Sequence, residues 1–219
     1  MKTLSNLMSV ILVIMIMTVA ANAQDKNVQP DKKQNKQEIK DIEKNAKTEA
    51  KKWKKDGYTN PIGTQPLEMQ FEKAWKMQAE QLEDGQSKYI VETGSATGET
   101  AAAAKMQAVQ SARLSIAENI SSEVAMLVNN IISNAGINTE DATSVTKTMS
   151  KSKSLVAQSL GRTITLVEAT KSEGKNVNYN VRLAYDFNTA KEIAKNILRK
   201  KLEEDTKLMK ETINMVTDF

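Results

Sequence analysis

The amino-acid sequence predicts an α+β fold, a three-stranded antiparallel sheet packed on long helices, with an N-terminal helical hairpin as an arm. Three observations carry this expectation. Residues 177–187 alternate apolar and polar side chains, the period of a strand with two unlike faces. Residues 99–134 and 188–219 instead carry apolar side chains at steps of three and four, the period of an amphipathic helix. The glycines at positions 57, 63, 85, 94, 98, 136, 161 and 174 all fall between such segments, so they read as boundaries.

The chain opens with Lys2 and a nearly continuous apolar run over 7–20, closing on Ala21-Asn22-Ala23. This is the pattern of a secretory signal peptide, residues 1–23, cleaved after Ala23. The run is shorter than the ~20 residues that span a bilayer, although an uncleaved N-terminal anchor is the alternative. The expected location is therefore periplasmic or secreted. Residues 24–35 are polar and aperiodic, contain Pro30, and are expected to form a disordered tether.

Residues 36–85 form the expected helical arm. Its first helix bears Ile39, Ile42, Ala46, Ala50 and Trp53 on a narrow stripe and ends at Gly57. A loop with Pro61, Gly63 and Pro66 leads to a second helix carrying Leu67, Phe71, Ala74, Trp75 and Leu82, which stops at Gly85. Residues 86–219 make the main unit in the order β-α-(α)-β-β-α. A strand over 87–93 is followed by a Gly94–Gly98 turn (GSATG) and a helix over 99–134. The stripe of that helix changes from Ala104, Ala108 and Ala112 to Ile116, Ile120, Val124, Leu127 and Ile131. The alanine half implies close approach to a sheet. Thr139 is a candidate N-cap for a weaker helix reaching residue 160. A strand over 162–170, a tip over 171–174 and the alternating strand follow, with one strand face expected to be buried and the other solvated. A single last helix starts near Asn188 or Thr189 and runs to the end.

Composition removes most familiar chemistries. There is no Cys and no His, so disulfides, thiolate nucleophiles, Cys-ligated metals and His-based acid/base sites are excluded. The formal net charge is +4, one less without Lys2, which is too mild for a phosphate-binding face; no nucleic-acid partner is expected. With no Cys after the leader, no covalent lipid anchor is expected.

Individual motifs have plain readings. GSATG precedes a helix but matches no phosphate-loop pattern, because Glu99 stands where a Lys is needed. Ser150 and Lys153 satisfy SxxK without its companion motifs. The acidic clusters Glu140-Asp141 and Glu203-Glu204-Asp205 fit a helix start and a lysine-rich helix face. No catalytic, cofactor-binding or metal-ligating residue is assigned. Lys51, Lys52, Lys54 and Lys55 surround Trp53, but the acids of the same helix dilute a membrane-binding charge. Trp53, Tyr58 and Trp75 are the candidate partner contacts, as aromatics outside a main core often anchor interfaces.

The run KYIVETGSATGETAAAAKMQAVQSARLSIAENISSEV resembles the pattern of an LPP-type family of small bacterial envelope lipoproteins. It is also similar to the N-terminal domain of the flagellar T-ring assembly protein. The likeness lies in a strand ending Gly-Ser-Ala, alanines at four-residue spacing, the Ala112-Arg113 pair, and a later hairpin ending in Tyr-Asp; it covers about residues 86–200. The lipobox Cys of the lipoprotein members is absent, and the arm is not part of the common domain. The resemblance implies a non-enzymatic envelope interaction or assembly module with an envelope protein partner. A soluble binder of glycan or small ligand is the alternative, and a carboxylate-based hydrolase of envelope polymers a third.

Overall fold

The computed structural model of the protein describes residues 32–219, with side chains from Gln37 onward. The expected leader and positions 24–31 of the expected tether lie outside the described residues. Positions 32–35 are helical, so the arm begins before Lys36. The elements are α1 (Lys32–Lys55), α2 (Leu67–Ala79), β1 (Tyr89–Gly98), α3 (Ala101–Ala135), α4 (Thr139–Ser159), β2 (Ile164–Glu173), β3 (Asn176–Asp186), α5 (Phe187–Asp205) and α6 (Lys210–Thr217). The fold is α+β, with one antiparallel sheet in the order β1-β3-β2.

The alternating strand is the central one, and this decides the architecture. Tyr179, Val181, Leu183 and Tyr185 point to the larger core, where α3, α4, α5 and α6 pack. The opposite face was expected to be solvated, and it is not. Ala184 and Asn180 are buried there, and α1 and α2 lie over them with Ala46, Ala50, Leu67, Phe71 and Ala74. Alternation reports a difference in polarity between two faces. Here the polar face meets polar groups of the arm, so the molecule has three layers rather than two.

β1 also differs from expectation. Gly94-Ser95-Ala96-Thr97-Gly98 is strand rather than turn, and only Glu99 and Thr100 bend the chain into α3. The glycines serve packing here. A Cβ on Gly94 would overlap the carbonyl oxygen of Ala108 and come within 2.5 Å of the amide nitrogen of Ala112. One on Gly98 would lie 3.0 Å from the amide nitrogen of Ala104. Helix α3 thus lies directly on the strand backbone along its alanines, as that stripe implied. Thr100 caps α3 by accepting from the Ala103 N–H, and Gly136 ends it at φ 63°.

The 35 residues of α3 make a rod of roughly 50 Å. Its first half covers the sheet. Its second half runs on to Ala135 with Val124 and Val128 buried, and α4, α5 and α6 join it in a helical bundle through Val145, Met149, Leu202, Ile213 and Val216. The expected single last helix is two. Thr206 is extended at φ −129°, and its hydroxyl donates to the Leu202 carbonyl while accepting from the Leu208 N–H. Helix α6 then folds back on α5, placing Asp218 beside Arg199 and Phe219 against Lys191 and Lys195. No Gly or Pro marks the break, and the apolar spacing continues through it. The helix start is capped by Asp186, not by Asn188 or Thr189, and Phe187 is its first residue rather than the last of the strand. The β2–β3 hairpin turns on Gly174-Lys175 alone, with Gly174 at φ 63°.

Candidate functional site

The three predicted contact aromatics sit at the arm–sheet junction. Trp53 packs against Tyr58 and against Phe71 with ring centroids 5.2 Å apart in each case. The Tyr58 hydroxyl donates to Asn178 Oδ1 at 3.0 Å, and Asn180 donates to the same oxygen at 2.9 Å. Trp75 Nε1–H donates to Glu49 Oε2 at 2.9 Å, while the other oxygen of Glu49 pairs with Arg182 at 2.6 Å. Those two side chains are only 21% and 14% exposed, and the guanidinium lies 5.3 Å from the Phe71 ring centroid. All three aromatics are half-buried; Tyr58 bonds to the sheet, while Trp53 and Trp75 contact residues of the arm itself. Gln70 completes the junction by accepting from the Glu168 N–H at 2.6 Å and donating to the Gln65 carbonyl at 2.5 Å. Two hydrogen bonds between Thr59 and Thr170 pair the interhelical loop with the outer edge of β2.

The other sequence motifs land on solvated surface. The Ser150 hydroxyl donates back to the Thr146 carbonyl at 3.1 Å, and Lys153 is exposed. Asn138, not Thr139, caps α4; it accepts from the Asp141 N–H and donates to its carboxylate. Glu140 is exposed. In the Glu203–Asp205 cluster, the hydrogen bond from Lys201 holds the Glu204 carboxyl below its usual range, and Glu204 raises Lys201 in turn. The basic run around Trp53 is exposed, and Lys54 pairs with Glu68 of α2 at 2.6 Å. Among the described residues no three Asp or Glu side chains converge as a metal site, and no helix is long and apolar enough to cross a membrane.

Three clusters were not singled out by sequence reasoning. Lys105 pairs with the largely buried Glu168 at 2.5 Å beside the Tyr179 ring. Burial, followed by the charge of Glu168, pushes the Tyr179 hydroxyl well above the usual tyrosine range, so it stays neutral. Arg113, conspicuous in the sequence only through the Ala112-Arg113 pair, donates to the carbonyls of Ala157, Leu160 and Gly161 at the end of α4. A cation there satisfies the last carbonyls of the helix and complements its dipole. The third cluster is acidic: Glu92 of β1 and Glu118 and Glu123 of α3 line one groove, with Asn119 donating to Glu92 at 3.3 Å. Sequence separation of strand from helix hid that grouping.

A concavity lies between the second half of α3 and the first half of α4. It is an open groove of about 640 Å³ whose walls include Ile132, Ala142, Thr143 and Thr146, with Lys147 and Lys151 also lining it. The hydroxyls of Ser133, Thr143, Thr146 and Ser150 each donate to the carbonyl four residues earlier in their own helix. No family model matches the chain, and neither a curated protein nor a solved structure matches it.

Proposed function

We propose that the protein is an exported, non-enzymatic interaction or assembly module of the cell envelope, working in the periplasm or at the cell surface against a protein partner. The observation that carries this reading is the character of the α3–α4 groove: open, and walled by aliphatic carbons and by hydroxyls bonded to their own helices, with Lys147 and Lys151 also lining it. Such an open surface, apolar along its walls and cationic where the lysines line it, offers shape, apolar contact and charge to another macromolecule. The leader-like N-terminal pattern and the resemblance to LPP-type envelope lipoproteins support the same reading. Within the resembling run, Gly94, Ala108 and Ala112 form the strand–helix contact, so these residues serve the scaffold and leave specificity to exposed surface. The candidate contacts Trp53, Tyr58 and Trp75 would act through their half-exposed rims.

A ligand-binding reading draws on the groove volume, which falls within the range of small-molecule sites; the aromatic side chains that usually line a glycan site are not among its walls. In-cell photocrosslinking distinguishes the two. A crosslinker at Thr146 or Lys147, both lining the groove, is expected to trap one or a few envelope proteins reproducibly. A clean uncrosslinked monomer, with a soluble glycan fragment protecting the groove, would overturn the assembly reading in favour of the binder.

A further inference from the structure

We infer that the free edge of β1 is a docking site for an extended, lysine- or arginine-bearing polypeptide segment, which adds to the sheet as a fourth strand. The inference rests on the assembly reading above and names the surface and the chemistry of the partner.

The two edges of the sheet are unlike. The β2 edge is guarded: the ladder to β3 is broken by a bulge between Thr165 and Val167, and Thr59 already occupies the edge at Thr170. The β1 edge has no such protection. Its ladder to β3 runs without a register shift from Tyr89↔Asp186 to Gly98↔Val177. It contains no Pro and no Lys, and its one charge is Glu92. Natural edges are usually blunted by those devices, and an edge left long and regular is a template for another strand.

The register also fixes which groups are offered. The Phe187 N–H donates to the Lys88 carbonyl, so Tyr89↔Asp186 is a non-hydrogen-bonded pair and Ile90↔Tyr185 a hydrogen-bonded one. Alternation then turns the amides and carbonyls of Tyr89, Val91, Thr93, Ser95 and Thr97 outward. None of them bonds to another described residue. Thr93, Ser95 and Thr97 are exposed. Beside this edge, on the α3 side, run two adjoining hollows of about 420 and 430 Å³ that share Glu92, Asn119 and Glu123. Glu118 lines the second. Among the described residues, none of the three carboxylates has a cationic partner. A strand laid on β1 would gain main-chain hydrogen bonds from the edge and place alternate side chains in this acidic hollow. Charge complementarity selects a basic segment. A second copy of the chain would bring its own Glu92, Glu118 and Glu123 to the junction, which disfavours self-pairing.

The test is an amide NMR titration of the folded chain with a synthetic peptide of about nine residues that alternates lysine with threonine and valine. A glutamate-for-lysine version serves as control. The basic peptide is expected to shift the amides of Val91, Thr93, Ser95 and Thr97 and slow their hydrogen exchange, with weaker changes at Ile90 and Glu92. Ser95→Pro removes one outward N–H without touching the β3 ladder, and it should weaken binding by about tenfold. Glu118→Lys with Glu123→Lys, on an exposed helix flank, should weaken it about threefold to tenfold at low salt and remove its salt dependence. Binding of both peptides alike, equal binding by the variants, shifts confined to other surfaces, β1-paired dimers without peptide, or no binding at about 1 mM would each overturn the inference. Crosslinking from the α3–α4 groove is read separately. A partner trapped there with a silent β1 edge would leave the assembly reading standing and remove only this one.

Discussion

The two faces of the sheet are fastened to their helices by opposite means. On one face α3 rests on Gly94 and Gly98 through Ala104, Ala108 and Ala112, backbone almost on backbone, with the single ion pair Lys105–Glu168 set at its flank on β2. On the other, α1 and α2 stand off on Trp53, Phe71 and Leu67 and are pinned by Glu49–Arg182, Gln70 and Tyr58. The first contact leaves no room for another atom and the second leaves few groups to spare. One face should therefore fail on addition, the other on deletion.

The strongest test of the second half of that contrast is Phe71→Ala. The side chain is fully buried between Trp53 and Arg182, so its loss should cost about 4 kcal/mol. Denaturant unfolding would measure that loss, and Trp53 fluorescence would show whether the arm loosens first. Gly94→Ala tests the first half. A single added methyl should cost about 3 kcal/mol because it meets the α3 backbone, which cannot rotate away. The same change at Gly98, where the nearest atom is 3.0 Å away, should cost about 1 kcal/mol. A neutral Gly94→Ala would break the comparison outright.

Arg182→Ala strands the Glu49 carboxylate beneath the arm and should cost about 2 kcal/mol, moderated by the partial exposure of both groups. Adding Glu49→Ala should recover part of that loss, and a thermal-denaturation double-mutant cycle would resolve the coupling. The smallest effect is electrostatic. The hydrogen bond from Lys54 holds the Glu68 carboxyl below the usual glutamate range, so the contact stabilises the arm at neutral pH. That contribution is lost as pH falls through and below the glutamate range, because the folded state binds its proton later than the unfolded chain. With both side chains well exposed it should be under about 1 kcal/mol, and Glu68→Gln should remove this part of the pH dependence of thermal stability.

The reading from sequence succeeded where one periodicity had one cause. The α3 stripe from Ala104 to Val124 is buried as spaced, and the Ala-rich half does approach the sheet. It failed where a residue type had two causes. Gly94 and Gly98 are glycine for closeness, while turn glycines such as Gly174 are glycine for positive φ; composition alone does not separate them. Asn178, Asn180 and Arg182 read as a solvated face because their partners Tyr58 and Glu49 come from an element 120 to 133 residues away. The acids Glu92, Glu118 and Glu123 were invisible as a group for the same reason. The break at Thr206 left no mark in composition, since a threonine hydroxyl replaced the expected glycine.

The order of the strands along the chain sets a timetable for folding. β3 is the last strand to be synthesised, yet it is the middle of the sheet, so neither β1 nor β2 has a neighbour until it arrives. Gly98 must wait for Val177, and Glu49 for Arg182. The helices can form early and locally, but the layers cannot lock one after another from the N-terminus. Such distant pairings incur loop-closure entropy before any contact rewards it, which slows folding relative to a bundle held by local contacts alone. A nascent chain halted before residue 176 would hold its arm, both outer strands, α3 and α4 without the one strand that joins them.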